Sequence, residues 1–316
     1  LGGYRNFCNK LWNASRFILG QIKEPPQPLR PQIDWHYSCL WLLTRLEETK
    51  VEVTKHYANY RFDLLVACLY DFVWHDYCDW AIEVAKPLLQ PGNQYRASTE
   101  STLVWVLEET LRLLHPSIPF ITEEIWQNMR HLCQPKQASI MLCPWPTMRL
   151  LPDTNTSVQT MRFLQAVTTC IRTMRAEMHI SPAHTISVYI EGIDPSSDTM
   201  LIACQGTVQR LAKCHPIRPM PMELVNSACA KEKIDGMTIN IPLEGLVDKQ
   251  AELQRVGKNI IKIEKQMLSL EKKLANDRYV AQAPKDVLQS EKDRLKDWQR
   301  MLQASKDHLA ALAKLS

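Results

Sequence analysis

Apolar residues recur along this chain at two different periods, and the switch between them divides it. From Gly3 to Leu19, Tyr4, Phe7, Leu11, Ala14 and Ile18 fall at helical spacing, which predicts a helix with one buried stripe. Four prolines, Pro25, Pro26, Pro28 and Pro31, then forbid helix and mark a loop. Asp34 is placed to cap a second helix, whose Leu40, Leu43 and Leu46 lead on through Tyr57. A third starts at Asp63 and runs through Leu69, Phe72, Val73 and Trp80 to Lys86, where Pro87 to Gly92 stops it. Helices over 94–114 and 119–132 complete an antiparallel bundle, before Pro144, Pro146 and Pro152 break the pattern.

Beyond a helix at 158–178 the period changes. Ile186, Val188 and Ile190 alternate as a half-buried strand does. A short helix over 200–213 follows, then a strand near Glu223 to Asn226. Asp235-Gly236 supplies a hairpin turn ahead of a strand from Thr238 to Ile241. In the last segment, Leu253, Val256, Ile260, Ile263, Met267, Leu270 and Leu274 step alternately by three and four, which is a heptad seam. After Asn276, Asp277 and Pro284 the steps resume at Leu288, Glu291, Leu295, Trp298, Leu302, Ser305, Leu309 and Leu312. Two such seams joined by a short break predict an antiparallel coiled-coil hairpin, each arm about 40 Å long at 1.5 Å per residue. Glu291 and Ser305 at seam positions weaken the second helix.

The fold class expected is therefore mainly α, in three parts: a helical bundle at 1–150, a small α/β connector at 151–245 and a hairpin arm at 246–316. The opening on Leu1, directly into a periodic pattern, reads as a piece of something longer. Only nine glycines occur in 316 residues, and no glycine-rich phosphate loop of either common spacing is among them. Ten cysteines without a C-x-x-C spacing, in apolar helical surroundings, read as reduced and buried, as expected of a cytoplasmic protein. No apolar run approaches a membrane span.

Charge changes the picture only in the tail. Residues 246–316 hold 15 Lys plus Arg against 10 Asp plus Glu, while the rest of the chain is close to neutral. That asymmetry suits a polyanionic partner or a solvated helical surface. On the opening helix, Asn6, Lys10, Asn13 and Phe17 form a second stripe apart from the apolar one, flanked by Arg5, Asn9 and Arg16. Amides that donate and accept, cations for phosphate and an aromatic able to stack are what unstacked RNA bases require, although an ordinary polar helix face looks the same. Lys272, Lys273, Arg278 and Lys285 cluster around the tip between the two arms, either against a structured RNA or as solvated flanking charge. His75, Cys78 and Asp79 could converge on a metal but sit among Phe72, Trp74, Tyr77 and Trp80, where packing is the simpler reading, so no metal site is assigned. Glu123-Glu124 reads as a helix first turn rather than an acid pair. No nucleophile and base pair stands out, so no catalytic residue is assigned.

Four stretches resemble a known family. GYRNFCNKLWNASRF at 3–17, LRLLHPSIPFITEEIWQ at 111–127, IRTMRAEMHISPA at 171–183 and KLANDRYVAQAPKDVLQSEKDRL at 273–295 are similar, in that order, to bacterial valyl-tRNA synthetases of class I. The first two are shared in looser form with the isoleucyl and leucyl enzymes. The resemblance covers essentially the whole chain and implies the C-terminal portion of such an enzyme: a helical-bundle anticodon-binding domain, a small α/β connector and a coiled-coil tRNA-binding arm. It implies Lys10 and Phe17, with Asn13, Asn6 and Arg5, at the anticodon, and Arg278 and Lys285 at the tRNA elbow, where Lys272 and Lys273 of the same basic cluster are further candidates. It also implies valine tRNA as partner, a monomer, and no membrane or DNA. The ATP-binding signatures and editing insertion of the family are absent, so ATP with Mg belongs to the full-length enzyme and no cofactor to this chain. Two other readings stand beside it: the equivalent region of an isoleucyl or leucyl enzyme, and a non-enzymatic coiled-coil interaction protein.

Overall fold

A computed structural model describes residues 2–29, 35–133, 137–224, 227, 229–243, 249–275 and 285–313. It divides into two compact units, Leu1–Thr169 with Asp194–Ala212, and Cys170–Ile193 with Lys213–Ser316.

The first unit is helical: α1 (Gly2–Gln21), α2 (Tyr37–Ala58), α3 (Phe62–Asp71), a π-helix (Phe72–Ala81), α4 (Ile82–Leu88), α5 (Arg96–Leu114), α6 (Pro119–Met129), the first part of α7 (Asn155–Glu177) and α8 (Pro195–Ala212). The α1 stripe is buried at Phe7, Leu11, Ala14 and Ile18, but Tyr4 stands 72% exposed, one turn beyond the buried row. His36 caps α2, its ring nitrogen accepting from the Ser38 backbone N–H; Asp34, the expected cap, lies outside the described residues. The segment expected as one helix from Asp63 to Lys86 is three in succession, because ten of its residues take π register.

The bundle interior holds charge as well as hydrocarbon. Lys50 on α2 is 1% exposed; its ammonium donates to Glu47 at 2.7 Å and the Thr147 carbonyl at 3.2 Å and pairs with Glu109 of α5. Arg112 reaches Glu108 at 3.0 Å, Glu109 at 3.2 Å and the Pro144 carbonyl at 2.8 Å. Glu47 also accepts from the Arg149 backbone N–H at 2.9 Å, and the Arg149 guanidinium lies 3.6 Å from the Trp105 ring centre. The cluster thus pins the 144–149 strap across α2 and α5. Buried ions need partners at every polar atom, because desolvation otherwise outweighs their attraction.

The second unit carries the end of α7 and a four-stranded sheet of β1 (Tyr189–Glu191), β2 (Arg218–Pro219), β3 (Cys229–Ile234) and β4 (Met237–Pro242), in the order β2-β1-β4-β3. β1 runs parallel to β2 and antiparallel to β4, and β3 pairs with β4 around Asp235-Gly236, both at positive φ (45° and 85°), the conformation that a two-residue hairpin demands. Where a strand is expected from Glu223 to Asn226, Met222–Leu224 form a 3-10 turn, and residues 225 and 226 lie outside the described residues. Arg175, buried near the end of α7, donates at 2.8 Å to the carbonyls of Lys213, Ser181 and His184, and so fastens the segment leading into the sheet.

Two long helices, α9 (Lys249–Leu274) and α10 (Lys285–Ala313), pair with one another in the same unit. Ile260, Ile263 and Leu270 of α9 are buried, and Leu288, Leu295, Trp298 and Leu302 of α10 are half-buried. Glu264 meets Lys306 at 3.1 Å and Lys273 meets Glu291, so residues rising along one helix face residues falling along the other. Glu291, expected to weaken the seam, is thereby partnered.

Removing one ion from the buried cluster strands its partners, and Lys50→Ala is expected to cost about 3–5 kcal/mol in urea unfolding; a loss below about 1 kcal/mol would show that the cluster does not hold the strap. Burial pushes the Glu108 carboxyl up to about 7 from its ordinary 4.5, against the pull of Arg112. The folded chain then keeps a proton that the unfolded chain releases, so this group's contribution is full below 4.5 and is lost as pH rises to about 7. Between about pH 5 and pH 8 the wild type should lose stability relative to Glu108→Gln. Parallel pH curves for the two proteins would contradict that.

Candidate nucleic-acid interface

The second stripe of α1 is offered rather than buried. Arg5, Asn6 and Asn13 are exposed, and Lys10 and Phe17 are half-buried against neighbouring helices. This follows from helical period: once Phe7, Leu11, Ala14 and Ile18 are turned inward, the positions between them must face away.

What meets Lys10 comes from the π-helix. Its ammonium donates to Asp79 at 2.6 Å and sits 3.8 Å from the centre of the Trp74 ring. Trp74 stacks on Tyr70 with ring centres 5.3 Å apart and planes 11° from parallel, and Tyr70 stacks on Phe7 of α1, again at 5.3 Å. Trp74 and Asp79 are five residues apart. On an α-helix they would point about 140° away from each other, whereas the wider turn of i to i+5 closure brings them nearer to one face. The π register is what lets a single lysine touch both.

Asp79 also approaches His75, at 3.3 Å between its other oxygen and Nδ1. Cys78, the third member of the trio considered for metal, is buried, and burial pushes its thiol up to about 12, with Lys10 pulling the other way. The trio is therefore split between core and surface; among the described residues no three His, Cys, Asp or Glu groups converge. Further along α1, the Lys86 ammonium lies 6.0 Å from the Phe17 ring centre and is paired with Glu83 at 2.6 Å. On the arm, Lys272 is exposed in the last turn of α9, while Lys273 is engaged by Glu291. Arg278 lies outside the described residues, as does the side chain of Lys285, whose backbone opens α10.

From the sequence, Asp79 is weighed only with a metal, Trp74 only as packing and Tyr70 not at all; the structure brings them together beside Lys10. The aromatic density around Trp74 was a signal. The register that aims it was not.

Residues 39–190 match the anticodon-binding domain of tRNA ligases, and residues 248–313 match the valyl-tRNA synthetase tRNA-binding arm. Over 99% of its length the chain is 32% identical to a valine–tRNA ligase of Acinetobacter baylyi. Identity is 37% to one from Legionella pneumophila over 97% of the chain, and 37% to one from Coxiella burnetii over all of it. The chain belongs to the valyl-tRNA synthetase family. It spans about a third of the length of those relatives, 33% to 35%. The anticodon-domain match begins after α1, so the α1 stripe is covered by the alignment to the ligases alone.

Trp74→Leu should remove both the stack and the platform under Lys10, and is expected to cost about 1–2 kcal/mol in urea unfolding. An unfolding midpoint equal to the wild type would contradict the contacts described.

Proposed function

We propose that this chain is the tRNA-holding C-terminal part of a cytoplasmic, monomeric valine–tRNA ligase. The supporting observation is the continuous alignment with valine–tRNA ligases through both tRNA-associated regions. In the full-length enzyme, other domains would activate valine with ATP and Mg, transfer it to tRNA and hydrolyse mischarged threonine. This chain would bind valine tRNA and orient it, without chemistry of its own.

Three parts share that role, with a bundle at 1–150 for the anticodon, a connector at 151–245, and an antiparallel coiled-coil arm at 246–316 against the elbow. Lys10, Asn6, Asn13 and Arg5 would supply hydrogen bonds and charge to unstacked bases, and Phe17 a stacking surface. Lys272, Lys273, Arg278 and Lys285 are the arm's candidates for phosphate. Two separated grips on one rigid RNA fix where its acceptor end falls, so binding energy is converted into orientation. Orientation matters because a hydrophobic pocket rejects isosteric threonine only weakly, the handing of tRNA between synthesis and editing being what restores accuracy; the valyl enzyme is itself the standard illustration.

Binding of valine and isoleucine tRNA over a salt series tests this. Preference for valine tRNA is expected, falling about tenfold with Phe17→Ala as a stacked base is lost. Deleting residues 246–316 should make the dependence on salt shallower. Equal affinity for the two tRNAs, or a salt slope unmoved by the deletion, would contradict the anticodon and arm assignments respectively.

A further inference from the structure

Lys10 is the cation of the α1 stripe nearest the π-helix, yet its charge is already answered. Asp79 accepts from it at 2.6 Å and Trp74 covers it at 3.8 Å, and side-chain exposures of 23% and 43% leave both Lys10 and Asp79 within reach of a bound molecule. An ammonium has three hydrogens. One is given to Asp79 and the ring takes another direction, which leaves one hydrogen bond to offer. An ion pair of zero net charge also attracts phosphate far less than a lone lysine, because the two fields cancel beyond the pair's own length.

We infer that Asp79 is a specificity-determining residue for RNA binding: by holding Lys10 on Trp74 it prevents that lysine from acting as a general phosphate counter-ion and presents it as a single directed donor. Such a donor suits an acceptor atom on the edge of an unstacked base. Phosphate contacts position a nucleic acid whatever its sequence, whereas base-edge contacts discriminate. Lys86 is paired with Glu83 as well, though its ammonium stands farther from its ring, 6.0 Å from the Phe17 centre. The inference rests on the proposed role of α1 in contacting RNA.

The test is binding of valine and isoleucine tRNA to the 316-residue chain carrying Asp79→Asn, over a salt series. Freed from its carboxylate, Lys10 should bind phosphate of either tRNA. Affinity for isoleucine tRNA is expected to rise about two- to fivefold, the size of one exposed ion pair. The valine preference should narrow, and the slope of log affinity against log salt should steepen by about one. Asp79→Glu should restore both. An unchanged slope and preference would overturn the inference, as would an equal loss of affinity for both tRNAs accompanied by a lowered unfolding midpoint, the signature of a merely structural residue. Lys10→Ala separates the two levels: if it affects neither tRNA, the contact of Lys10 with RNA fails and this inference with it. If it weakens valine tRNA while Asp79→Asn leaves slope and preference alone, only the role given to Asp79 fails.

Discussion

Ten consecutive residues of π register, Phe72–Ala81, set the geometry on which the candidate interface depends. An α-helix repeats a face every three or four positions, so Trp74 and Asp79 could not share one. The wider π turn brings them nearer in direction, and Lys10 of α1 then touches both an aromatic ring and a carboxylate. Short π segments are found often at functional sites, where a displaced side chain justifies a poorer backbone ladder. Here the flanking core holds the register in place: Phe72, Val73 and Tyr77 are buried, and the Tyr77 hydroxyl donates to the Leu103 carbonyl of α5 at 2.9 Å.

The same economy of faces governs α1. A helix with one stripe committed to the core has its remaining stripe for everything else, and in α1 that stripe carries the amides, the lysine and the aromatic ring. Below it, charges sealed in the bundle do structural work. Lys50, Glu47, Glu109, Glu108 and Arg112 tie the 144–149 strap to α2 and α5 through carbonyl and carboxylate partners. In the second unit Arg175 does the equivalent with three carbonyls. A buried cation satisfied by backbone acceptors specifies where loops lie, which hydrocarbon packing alone does less well.

Much of this was legible in the residues themselves where the signal is local. The buried row of α1, the Asp235-Gly236 hairpin and the helical character of both arm segments all follow from period or turn chemistry within a dozen residues. Tyr4 failed because a period has no built-in end: the stripe continues in sequence one turn past the neighbour that would cover it. The π register left no trace, since inserting one residue per turn changes no residue type. The burial of Lys50 carries no local signal, because its partners Glu109 and the Thr147 carbonyl lie tens of residues away in sequence. For the candidate site, Lys10, Phe17, Asn13, Asn6 and Arg5 are proposed from stripe and resemblance, whereas the contacts of Trp74 and Asp79 with Lys10 needed coordinates.

Hydrogen–deuterium exchange of the chain with and without valine tRNA tests most directly whether the face built by α1 and the π-helix is where RNA sits. Slower exchange is expected along α1 and through residues 70–79 on adding valine tRNA, with a separate slowing along α9 and α10. Binding of valine tRNA that leaves α1 and the π-helix unchanged would contradict it.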